Sequence, residues 1–194
     1  MLRSLLWMAL LLVSTATSAQ TFTNPILPAT AADPSIVRYN GYYYHAFSDG
    51  GRNIFVRKST TLKGLGSAAA VLVWPEEPHW LGYEPAPAYS QETWAPELQL
   101  INGRWYIYYA ASNGTNANHR MFVLESTSLN PQAQGAYAFK GQLRPTTDKW
   151  AIDGAVIQKD DGVQKHARSA GFSSCQTGLV SEDAQAEYTN YRVY

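Results

Sequence analysis

One hairpin, written twice and begun a third time, restricts what this chain can fold into. Asp33-Pro34-Ser35-Ile36-Val37-Arg38-Tyr39 leads to Asn40-Gly41 and then to Tyr42-Tyr43-Tyr44-His45-Ala46-Phe47. Thr93-Trp94-Ala95-Pro96-Glu97-Leu98 leads to Asn102-Gly103 and then to Arg104-Trp105-Tyr106-Ile107-Tyr108-Tyr109. Asn-Gly is the strongest short hairpin signal, because both central residues of a type I′ turn need φ > 0. The apolar alternation of Trp105, Ile107 and Tyr109 has the period of a half-buried strand. Ile152-Asp153-Gly154-Ala155-Val156-Ile157-Gln158 opens a third unit toward Asp161-Gly162, so the three turns lie 62 and 59 residues apart.

Each complete unit has room for four strands. In the first, Asn53–Ser59 reads as a third strand, Leu62–Gly66 as a turn and Ala69–Trp74 as a fourth strand. Residues 75–92 hold Pro75, Pro78, Pro85 and Pro87 and read as a loop. Trp74, Trp80 and Tyr83 flank it as a candidate substrate wall. In the second unit, Arg120–Ser126 and Tyr137–Lys140 are the third and fourth strands. Four short strands per unit, with no helical period, predict an all-β fold and a β-propeller, here of about two and a half blades.

The third unit breaks its pattern after Gly162. Val163-Gln164-Lys165-His166-Ala167-Arg168-Ser169 lacks the aromatic alternation of its counterparts, and no further strand is expected before Tyr188–Tyr194. Residues 163–194 are therefore expected to form an aberrant tail, outside the parent reading frame or exon structure. Residues 20–162 are expected to form the partial propeller domain.

Residues 1–19 read as a signal peptide: Arg3, an apolar run from Leu5 to Val13, then small residues with Thr17 and Ala19 placed for cleavage before Gln20. The run is too short to span a bilayer. Secretion to the extracellular space is expected. The sequon Asn113-Gly114-Thr115 then marks a glycosylation site on an exposed turn. Cys175 is the only cysteine, so no intrachain disulfide forms. The formal net charge of zero gives no electrostatic case for nucleic acid or an acidic membrane.

The first strand of a propeller blade lines the central channel. Asp33 lies seven residues before its turn, Asp153 eight, and Glu97 five. Equivalent positions in successive blades converge on one ring. Asp-Pro and Asp-Gly are also ordinary turn dipeptides, so each acid alone reads as a turn residue. Their shared place in the repeat points to paired-carboxylate chemistry of the glycosidase kind. Trp94 is a candidate stacking surface for a sugar, with core packing the alternative. His45 and His119 are weighed as metal ligands, but four histidines without close spacing do not make a metal site, and no metal or cofactor is expected. His119, beside Arg120, is instead read as a polar contact at the pocket rim.

Ala32-Asp33-Pro34, Trp94-Ala95-Pro96-Glu97-Leu98 and Trp150-Ala151-Ile152-Asp153-Gly154, in this order, resemble glycoside hydrolase family 43. Asn24-Pro25-Ile26-Leu27 and Asn118-His119-Arg120-Met121 resemble its secreted arabinofuranosidase branch. The likeness covers residues 22 to 162. It implies a five-bladed β-propeller and hydrolysis of arabinofuranosyl or xylosyl residues, with inversion, from plant cell-wall arabinan or arabinoxylan. It implies that Asp33 is the general base and Asp153 the acid that tunes the general acid's pKa. Trp94, Glu97 and His119 are then substrate-binding candidates. The family's general acid, a Glu followed by Gly in a later blade, has no match: Glu182 and Glu187 lack that context. An inactive fragment, or a propeller that binds carbohydrate without turnover, is the alternative.

Overall fold

Both Asn-Gly turns close as type I′ requires: φ is +46° and +80° at Asn40 and Gly41, and +50° and +76° at Asn102 and Gly103. Their right-handed twist matches that of the strands they join, so each fixes a register. In the first, β1 (Ser35–Tyr39) pairs antiparallel with β2 (Tyr42–Ser48), Tyr39 opposite Tyr42. In the second, β5 (Gln91–Ile101) pairs with β6 (Arg104–Ser112), Ile101 opposite Arg104. These observations come from a computed structural model that describes residues 26–27, 33–75, 89–143, 148–158 and 164–169. The leader at 1–19, the loop residues 76–88 with Trp80 and Tyr83, and the tail beyond Ser169 with Cys175, Glu182 and Glu187 lie outside the described residues.

Each hairpin extends into a four-stranded meander. β3 (Ile54–Ser59) and β4 (Ala70–Trp74) complete the first sheet in the order β1-β2-β3-β4. β7 (Arg120–Ser126) and β8 (Tyr137–Gln142) complete the second in the order β5-β6-β7-β8. A single 3-10 turn covers Lys63–Gly66, where the sequence reads as a turn, and another covers Asn116–Asn118. No α-helix occurs among the described residues, and the all-β expectation holds. β5 starts at Gln91, inside the stretch read as loop.

The third unit corrects the sequence reading. β9 (Ile152–Gln158) is paired antiparallel by β10 (Gln164–Ser169), with Gln164 opposite Gln158 and Ala167 opposite Ala155. The absence of aromatic alternation led us to expect no strand there. Backbone N–H and C=O groups pair whatever the side chains, so the open edge of β9 is enough to template its neighbour.

Period two decides how the sheets pack. Along β6, Trp105, Ile107, Tyr109 and Ala111 point to one face, where they meet Tyr44, Ala46, Ile54, Val56 and Val73 of the first sheet. Tyr108 and Ala110 point to the other, against Met121, Val123, Ala151 and the partly buried Ile152 and Val156. Both faces of the second sheet are therefore apolar, as stacked blades require. Trp105 anchors the larger core at 0% exposure. Its ring sits edge-on to Tyr39 at 5.4 Å, and its indole N–H donates to the Leu129 carbonyl at 2.9 Å.

Candidate active site

Six non-glycine residues among those described have positive φ. Two are the turn asparagines. The other four are Asp33 (+50°), Glu92 (+50°), Ala95 (+43°) and Asp153 (+53°). All four lie at the start of a first strand of a unit. Left-handed backbone at a non-glycine residue costs about 1 kcal/mol or more, and such strain clusters at functional sites.

Three of the four occupy one repeat position. Asp33 is followed by Pro34, Ala95 by Pro96 and Asp153 by Gly154. Ala95, like Asp33, lies seven residues before its turn. The acid ring expected from the sequence is thus Asp33, Ala95, Asp153, and Glu97 is not its second member. Aligning Ala32-Asp33-Pro34 on Trp94-Ala95-Pro96 would have located this. Glu97 stands opposite Tyr108, and its carboxylate accepts from Gln99 Nε2 at 2.6 Å. It therefore borders the seam between the second sheet and β9. Burial pushes its carboxyl above the ordinary carboxylate range, against the Gln99 hydrogen bond that lowers it.

The charge of Asp33 reaches Asp153. Burial raises the Asp153 carboxyl above its usual range, and the charge of Asp33 adds to the rise. A nearby like charge disfavours ionisation, which accounts for the smaller part of that rise. Several contacts hold the ring in place. The Leu98 N–H donates to Ser35 Oγ at 3.0 Å, tying the segment after Asp33 to β5. A Cβ on Gly154 would come 2.7 Å from Met121 Cε, so the residue after Asp153 has no room for a side chain unless Met121 moves.

The strand start around Trp94 is irregular, with Trp94 itself still opposite Ala110. Register shifts fall between Gln91 and Trp94 and between Trp94 and Glu97. Bulges of this kind re-aim side chains. Freed from β6, the Thr93 N–H donates to the Gly51 carbonyl of the first sheet at 2.8 Å. Asp49 orders that loop by accepting from the N–H groups of Gly51, Arg52 and Asn53. Trp94 is half-buried, and its ring stacks on His119 at 3.8 Å and 25°.

His119 is not at a rim. It is 0% exposed, beneath Trp94, and its ring nitrogens face the carbonyl oxygens of Asn116 (2.9 Å) and Glu92 (3.1 Å). A neutral imidazole carries one N–H and donates to one of these carbonyls, so both nitrogens lie against main-chain oxygens rather than an open site. His45 is also 0% exposed, and neither of its ring nitrogens has a hydrogen-bond partner among the described residues. Burial, with Arg57 beside it, lowers its pKa from 6.5 to about 4. Among the described residues, no three His, Cys, Asp or Glu side chains gather as a metal site. Asn113 begins the turn after β6, with its Oδ1 accepting from Asn118 Nδ2 at 3.0 Å, and the following Gly114 and Thr115 are exposed.

Sequence reading missed the contacts behind Asp153. Trp150 Nε1 donates to the Asn116 carbonyl at 2.9 Å, and the Ala151 N–H to the His119 carbonyl at 3.1 Å. Arg120 Nε donates to Asp148 Oδ1 at 2.8 Å. Only the Asn118-His119-Arg120-Met121 motif hinted at them.

The profile of glycosyl hydrolases family 43 matches residues 22–166. The chain is 36% identical over 145 residues to an extracellular exo-α-(1→5)-L-arabinofuranosidase of Streptomyces avermitilis, covering 73% of this chain and 28% of that one. It is 32% identical over 146 residues to α-L-arabinofuranosidase 43 of Humicola insolens, again covering 28% of that relative. The structure superposes on an α-L-arabinofuranosidase from Lactobacillus brevis with a TM-score of 0.68 and 29% identity, covering 79% of this chain and 48% of that one. The chain thus spans under half the length of these proteins. The match takes in both carboxylates and both complete sheets, and the chain belongs to glycosyl hydrolases family 43.

Proposed function

We propose that this chain carries the general base, Asp33, and the modulating carboxylate, Asp153, of a secreted, inverting α-L-arabinofuranosidase acting on arabinan or arabinoxylan. The observation that carries the reading is the pair of left-handed aspartates at one repeat position, with the charge of Asp33 acting on Asp153. The names of the relatives, extracellular and arabinofuranoside-cleaving, support the substrate and the location.

Asp33 accepts a proton from a water as its oxygen attacks the anomeric carbon. The glycosidic C–O bond breaks on the opposite face, and the configuration inverts. The leaving oxygen needs a proton from a third acid. Asp153, whose carboxyl burial and the Asp33 charge push above its usual range, raises the pKa of a neighbouring acid when it is itself ionised. Trp94, aimed by two bulges, offers a flat face for the sugar.

The third acid has no counterpart in the motifs of this sequence. General acid catalysis contributes about 10²–10⁴-fold, and a leaving group that departs unprotonated escapes that loss. Activated aryl arabinofuranosides should therefore be cleaved in preference to the polysaccharide. The same observation favours a second reading, sugar binding without turnover. Rates on aryl α-L-arabinofuranoside and aryl β-D-xyloside, with proton NMR of the first-formed anomer, test the proposal. It requires faster arabinofuranoside cleavage with β-L-arabinose released first. Retention of configuration, or preference for the xyloside, contradicts it. Binding of arabino-oligosaccharide without any cleavage selects the second reading.

A further inference from the structure

We propose that His119 is a positioning residue that couples the Trp94 platform to the segment carrying Asp153. The inference rests on the reading that these two belong to one sugar site. The bulged stretch from Glu92 to Pro96 keeps one ladder pair with β6, Trp94 opposite Ala110, so contacts outside the ladder must fix the residues around it. The His119 ring does so twice. It stacks under the Trp94 indole, and its Nε2 meets the carbonyl of Glu92, two residues earlier. Without that nitrogen the Glu92 carbonyl loses its ring partner, next to a backbone already held at φ +50°.

The same residue holds the other side of the site. Trp150 Nε1 donates to the Asn116 carbonyl at 2.9 Å, and His119 Nδ1 lies 2.9 Å from the same oxygen, so the one imidazole N–H serves either this carbonyl or that of Glu92. The His119 carbonyl accepts from the Ala151 N–H, two residues before Asp153, and from Arg120 Nη1 at 2.9 Å. Arg120 in turn clasps Asp148 through Nε to Oδ1 and Nη2 to the main-chain oxygen. One buried ring and its own carbonyl therefore link Glu92 and Trp94 on β5 to residues 148–151. A change at either end alters the hydrogen bonds that His119 makes to the other.

Indole N–H resonances of the full chain, assigned with Trp94→Phe and Trp150→Phe, read this coupling directly and without ligand. His119→Phe keeps a flat ring under Trp94 and deletes both nitrogens. It should move the Trp94 and Trp150 resonances while leaving Trp105 in place. Trp150→Phe removes one donor from the shared carbonyl at a half-buried site. It should move the Trp94 resonance, a readout that a local packing role would not disturb. Titration with arabino-oligosaccharide should be weakened about tenfold in His119→Phe. A Trp94 resonance unchanged by Trp150→Phe overturns the coupling, even if His119→Phe fails to fold. A wild-type chain that binds no arabino-oligosaccharide defeats the functional reading alone, because the ligand-free coupling is measured independently.

Discussion

Acid should destabilise this protein through His45, a residue far from the proposed chemistry in role. The ring is 0% exposed, stacks on Phe47 at 5.2 Å and 13°, and has no hydrogen-bond partner at either nitrogen among the described residues. Its pKa falls from 6.5 to about 4, through burial first and Arg57 second. Between those values the unfolded chain binds a proton that the folded chain refuses. Stability therefore rises with pH across that window, is fully present above it, and is lost as pH falls through it. The shift corresponds to about 3 kcal/mol by the time pH reaches the folded value. His45→Phe keeps the stack, removes the two unsatisfied nitrogens and cannot take up the proton. Urea unfolding followed by circular dichroism at pH 7, 5.5 and 4.5 compares the two proteins. Carboxylates common to both cancel in the difference. The variant should gain on the wild type as pH falls, by roughly 2–3 kcal/mol at the lowest pH. Parallel pH profiles would refute the reasoning and imply that the folded protein accommodates the imidazolium.

Three further outcomes follow from the packing and charge. Asp153→Asn should be more stable than wild type at neutral pH, because a raised carboxyl pKa means that ionisation costs folding free energy above the ordinary carboxylate range. The difference should vanish in acid, and equal melting temperatures at pH 7 would contradict it. Trp105→Ala should cost about 3–5 kcal/mol, since the ring fills the core between the two sheets, and a loss under 1 kcal/mol by chemical denaturation would be inconsistent with that placement. Gly66→Ala drives a Cβ into the rigid carbonyl of Ile26, whereas Gly103→Ala meets open space and pays only for φ +76°. Thermal melts should rank Gly66→Ala as the more damaging of the two, with Gly103→Ala costing about 1 kcal/mol.

The hairpins were legible because Asn40-Gly41 and Asn102-Gly103 encode a local conformation that few dipeptides tolerate. Burial on both faces of the second sheet was not legible: Trp105, Ile107 and Tyr109 read as a half-buried strand, and only the packing of β9 covers Tyr108 and Ala110 as well. Asp33 and Asp153 were legible from the repeat, since register carries position. The rest depends on tertiary context. The bulges at Trp94 form because Thr93 and Glu92 find partners on Gly51 and His119, and neither partner is near in sequence. Glu97 took the place of Ala95 in the reading because an acid is conspicuous and an alanine is not. β10 escaped notice because its pairing is a property of the backbone.

The most direct measurement is the rate of cleavage of an activated aryl α-L-arabinofuranoside by the wild-type chain and by Asp33→Asn. Asp33 is exposed, so the substitution should leave the melting curve intact. The account predicts a fall of about 10²–10⁴-fold, the range of a lost general base. A rate unchanged by Asp33→Asn in a folded protein would contradict it, and with it the claim that the left-handed aspartates are the working pair.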